Sequence, residues 1–94
     1  MSRRADPLAA LCRCLARRAP GLTVVESRSR PWASVTFTGA RHRIVLTVPD
    51  GQRTALLDGL DCDDLPLPGH IVADNTAADD GAAIVIEALT VEAD

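Results

Sequence analysis

From Trp32 to Val48 apolar and polar positions alternate along the chain. Ala33, Val35 and Phe37 interleave with Trp32, Ser34, Thr36 and Thr38. Further on, His42, Ile44, Leu46 and Val48 interleave with Arg41, Arg43, Val45 and Thr47. A period of two in β-branched and aromatic residues predicts a β-hairpin. Gly39-Ala40 lies between the two runs and suits a type II′ turn, in which glycine accepts a positive φ without steric cost. The turn sets Thr38 opposite Arg41, Phe37 opposite His42, Val35 opposite Ile44 and Ala33 opposite Leu46. All the apolar alternates then share one face. Trp32, Thr36, Arg41, Arg43 and Val45 occupy the other, and a slip of one residue would scramble both.

Ahead of this stretch the period changes to that of a helix. Asp6-Pro7 is an N-cap carboxylate followed by proline at the first helical position. Leu8, Leu11, Cys12 and Leu15 follow at i, i+3, i+4 and i+7, with Ala10, Arg13, Cys14 and Arg17 opposite. Arg17 and Arg18 suit the negative end of the helix dipole, and Ala19-Pro20-Gly21 ends the helix, predicted over residues 7–18. Leu22 to Ser27 is a first strand, and Ser27-Arg28-Ser29-Arg30-Pro31 is a polar break before the hairpin.

After Pro49, Asp50 would cap a short second helix carrying Leu56, Leu57 and Leu60, with Asp58-Gly59 near its end. Asp61 to Gly69 is an acidic and then proline-rich connection. His70 to Asn75 is a short strand, Thr76 to Gly81 a turn, and Ala82 to Val91 the last strand. In that strand Ile84 and Ile86 differ in parity from Leu89 and Val91, which predicts a bulge near Glu87-Ala88. The order αβββαββ points to a single α+β domain over 1–94. Its architecture is a two-layer sandwich: a mainly antiparallel sheet of about five strands, two helices on one face, and the other face partly open.

Composition narrows the function classes. The 94 residues include one Trp, one Phe and no Tyr, so stacking platforms for bases or sugars are scarce. A net charge of −3 conceals a split: nine Arg face two acids over residues 1–43, and one Arg faces eleven acids over 44–94. The plain reading is that the two halves interleave and neutralise each other; the sharper one is a pair of opposite faces that attract a partner. No apolar run reaches membrane-spanning length and no secretory signal is legible, so a soluble, reduced, cytoplasmic protein is expected.

Candidate chemistry is sparse. Cys12 and Cys14 are two apart on a helix, about 200° around its axis, and do not converge on one metal; Cys14 is expected to face outward. His42 reads as a histidine at the rim of the core. Asp61, Asp63, Asp64 and His70 would supply oxygen and nitrogen ligands for a divalent ion, but without the spacing of a calcium loop; the plain reading is a solvated acidic loop. No nucleophile elbow or phosphate-binding glycine loop occurs, and no cofactor is implied. The leading expectation is a non-enzymatic association module, a homodimer formed through the open face carrying Trp32, Thr36, Arg41, Arg43 and Val45. The alternatives are single-stranded nucleic-acid binding by an Arg/Trp patch that also draws on Arg28 and Arg30, and an enzyme or metal protein built on His70 and the acidic loop.

Overall fold

The computed structural model describes residues 6–60, 65 and 67–93. The elements run α1 (Pro7–Arg18), β1 (Thr23–Ala33), β2 (Thr38–Thr47), α2 (Asp50–Leu57), β3 (His70–Asp79) and β4 (Ile84–Glu92). The strands form one antiparallel sheet in the order β1-β2-β4-β3. Ile44, Leu46, Ile84 and Ile86, from the two central strands, share a buried cluster with Leu11 and Leu15 of α1, Leu56 of α2, and Leu60, Leu65 and Leu67. Both helices therefore cover the same face. The α+β architecture is as expected, but the described residues hold four strands in the order αββαββ, not five in αβββαββ.

The missing strand is explained by β1. The expected break at Ser27–Pro31 is continuous strand, because β1 is an edge strand outside the helix layer and exposed along nearly its whole length. With neither face buried it needs no hydrophobic alternation, and an edge strand tolerates Pro31. The Ser-Arg-Ser-Arg run keeps its own period of two: Ser27 and Ser29 pair with core-facing Ile44 and His42, while Arg28 and Arg30 pair with Arg43 and Arg41.

The expected turn at Gly39-Ala40 is also corrected. The chain reverses at residues 34–37, where Ser34 N–H donates to the Phe37 carbonyl at 2.7 Å and Phe37 N–H donates to Ser34 Oγ at 3.1 Å. Val35 and Phe37, assigned by pattern to the core, lie exposed at this tip, and Thr36 sits in the turn. Gly39 is a strand residue facing Trp32. Its glycine answers to close packing, since a Cβ there would lie 1.9 Å from the Thr90 carbonyl oxygen.

On β4 no bulge occurs. The β2–β4 register is unbroken, so Ile84, Ile86, Ala88 and Thr90 all face the helices. The irregularities lie on the edge strands instead, at Val24/Glu26 and Val72/Asp74, where a bulge discourages further strand pairing. β3 also outruns its expected end and carries on to Asp79. The turn that follows is held by Asp80, whose carboxylate accepts from Ala82 N–H at 2.9 Å and Ala83 N–H at 2.8 Å.

Helix α1 starts as expected, with Asp6 Oδ1 accepting from Leu8 N–H at 3.0 Å. It is rolled relative to the expected stripe: Ala10, Leu11, Cys14 and Leu15 are buried and Cys12 is only half-buried. Cys14 therefore points inward, because small side chains at 10 and 14 let the helix settle close to the sheet. In α2 Asp50 is the first helical residue, and Pro49 at the N-cap supplies no side-chain bond. The far end of α2 is tied to α1 by Arg18, whose Nε donates to the Leu56 carbonyl at 3.0 Å while its guanidinium also bonds the Asp58 carbonyl. Gly21 N–H donates to Gln52 Oε1 at 2.7 Å, closing the same seam.

Candidate interaction face on the open side of the sheet

Strand pairing sorts the uncovered face into four rows, since directly opposed residues project to the same side. Trp32, Gly39, Val91 and Ile71 make the first, and Arg30, Arg41, Leu89 and Asp74 the second. Arg28, Arg43, Glu87 and Thr76 make the third, and Glu26, Val45, Val85 and Ala78 the fourth. Two bands that are apolar except for Glu26 thus flank a charged one. Within the charged band the cations sit on β1 and β2 and the acids on β4 and β3.

Trp32, Arg41, Arg43 and Val45, expected together, are brought together here, whereas Thr36 lies at the hairpin tip. Ile71, Asp74, Val85, Glu87, Leu89 and Val91 were not anticipated. Their signal was the parity of Leu89 and Val91, which looked like a bulge but marks an apolar outer face. The charge halves lie side by side across the sheet instead of interleaving, because β1 and most of β2 come from the basic half and β3 and β4 from the acidic half.

Arg30 is directly opposite Arg41, and Arg28 directly opposite Arg43, an arrangement that costs stability in an isolated sheet. Arg28 is relieved by Glu26 at 2.7 Å, and this bond, with the charges of Arg28 and Arg43, holds the Glu26 carboxyl below its usual range. Arg30, Arg41 and Arg43 make no hydrogen bond or ion pair with any described residue. A shallow hollow of about 200 Å³ lies among the four arginines and Glu87, and one of about 230 Å³ adjoins it at Arg41, Asp74, Thr76, Glu87 and Leu89.

The helix side carries a polar relay. Thr90 Oγ1 donates to the Ala40 carbonyl at 3.4 Å, so it accepts from His42 Nε2 at 2.8 Å, and His42 Nδ1 then accepts from the Ser29 hydroxyl at 2.6 Å. The buried imidazole is neutral, its pKa pushed down chiefly by burial, with Asp6 opposing and His70 adding. A hydroxyl on a histidine is the first half of a nucleophile–base pair. Here the third member is the buried Thr90 hydroxyl and not a carboxylate, so the relay's evident work is to tie β1, β2 and β4 together.

His70 is half-buried, with Nδ1 3.1 Å from the Pro68 carbonyl; Asp61, Asp63 and Asp64 lie outside the described residues. No cluster of metal-ligating side chains occurs among the described residues, and no described helix is long and apolar enough to cross a membrane. A cleft of about 600 Å³ lies between the end of α2 and β3, lined by Leu57, Leu60, Asn75 and Ala77 among others. The Asn75 side-chain oxygen has no hydrogen-bond partner among the described residues, but it is sealed from solvent. Comparison with known proteins adds no assignment: no family model, no curated protein and no solved structure matches this chain.

Proposed function

We propose that this chain is a non-enzymatic association module that pairs with a second copy of itself through the open face of the sheet. The observation that carries this reading is the composition of that face. Ile71 is 56% exposed and Val45, Val85, Leu89 and Val91 are only half-covered, beside a charged band that is basic on one side and acidic on the other. Apolar surface gains from burial, and a face that carries both signs in separate halves is complementary to itself. Light scattering on a sizing column tests this. Wild type is expected to run as a dimer, and Arg41→Glu with Arg43→Glu as a folded monomer. A monomeric wild type, or a dimer indifferent to the double substitution, would overturn the reading.

A second reading is single-stranded nucleic-acid binding. The two opposed arginine pairs favour it, since a phosphate chain would relieve their repulsion. Trp32, in the row beside Arg30 and Arg41, is the ring placed to stack. A labelled oligonucleotide that binds wild type at low salt and not the same double variant would support it; binding unchanged by that variant, or none at all, would remove it.

A further inference from the structure

Building on self-association through the open face, we infer that the two copies stack face to face about a two-fold axis that runs parallel to the strands, between β2 and β4. The charge pattern selects this axis. Stacking two identical sheets in an isologous dimer leaves two simple choices. An axis perpendicular to the strands sets β1 on β1 and β2 on β2, so that arginines meet arginines. An axis along the strands exchanges the two sides of the sheet and keeps every row level with itself.

The second choice sets β1 over β3 of the second copy and β2 over its β4. In the second row Arg30 then meets Asp74 of the second copy and Arg41 meets its Leu89. In the third, Arg43 meets its Glu87 and Arg28 its Thr76. The apolar rows register as well: Val45 meets Val85, and Trp32 meets Ile71. Each of these pairs occurs twice by symmetry. Arg30, Arg41 and Arg43, the arginines of this face with no hydrogen bond or ion pair to a described residue, all fall over the acidic side of the second copy, where the only outward acids of the row pattern on β3 and β4, Asp74 and Glu87, lie. Sheets packed this way lie about 10 Å apart with strands about 30° from parallel, a gap that opposed arginine and carboxylate side chains can bridge.

Charge reversal in two separate chains tests the geometry. One chain carries Arg30→Glu with Arg43→Glu, the other Asp74→Arg with Glu87→Arg; all four side chains are exposed, and circular dichroism confirms that each variant is folded. Each alone sets like charges against each other at both symmetric contacts, so its dimer dissociation constant is expected to rise at least about tenfold. Mixed one to one, the two chains are complementary at both contacts and should form a heterodimer. If wild type dimerises and the mixture stays monomeric, the stacking geometry is wrong while the face stands. If either variant alone dimerises like wild type, the geometry is likewise overturned. A monomeric wild type would instead defeat the underlying reading before any variant is compared.

Discussion

His42 is the residue where burial and hydrogen bonding meet most closely. Its folded pKa lies below the ordinary histidine value, mainly because burial disfavours the charged ring. As pH falls through about 6.5 the unfolded chain takes up the proton first, so stability is lost on acidification and is fully present only above that range. The melting temperature is expected to fall between about pH 7.5 and about pH 5.5, with a shallower slope in His42→Gln; an equally steep slope in the variant would remove His42 as the cause. Thr90→Val leaves the His42 Nε2–H unsatisfied in the core, and urea unfolding should register a loss of about 1–3 kcal/mol. Gly39→Ala meets a backbone carbonyl that cannot rotate away. A loss of about 3 kcal/mol is expected from denaturant unfolding, and a neutral outcome would contradict the close approach of β2 and β4.

At the level of elements, the helix layer is held by one strap as well as by the core. Arg18 carries two carbonyls at the end of α2, those of Leu56 and Asp58, where the last turn leaves carbonyls without a bond inside the helix. Arg18→Met keeps much of the packing volume and removes the donors. A loss of about 2 kcal/mol is expected, with amide exchange quickening first in α2 and not in the β2–β4 ladder. The strands divide by position. β2 and β4 are central and alternate cleanly, whereas β1 and β3 are edges, bare on most of their length and broken by one register shift each. This division explains which boundaries were legible. Helix α1 and the inward set of β2 followed from periodicity, because one side of each is buried. The joining of Leu22–Ser27 to Trp32–Ala33, and the extension of β3 beyond Asn75, had no hydrophobic signal to follow.

For the molecule as a whole, one face of the sheet is spent on the core and the other presents apolar bands around divided charge. If the copies associate as proposed, both forces contribute, and salt separates them. Raising the salt to about 1 M, where screening acts over about 3 Å, is expected to weaken the dimer without abolishing it, as followed by sedimentation or light scattering over a dilution series. Complete dissociation would assign the contact to charge alone, and no response would assign it to the apolar rows.

The chain alone determined what is local: the cap and run of α1, the inward set His42, Ile44 and Leu46, the outward set Arg41, Arg43 and Val45, and the unequal charge of its two halves. These follow from side-chain period and cap chemistry within a few residues. Tertiary structure decided the rest. Only strand order puts Asp74 and Glu87 on the face that carries the arginines. Only the approach of Thr90 makes Gly39 a packing glycine instead of a turn. Only the unbroken β4 ladder sends Thr90 inward to His42 and leaves Leu89 and Val91 outside. In each case the deciding neighbour is remote in sequence, and no pattern along the chain records its distance.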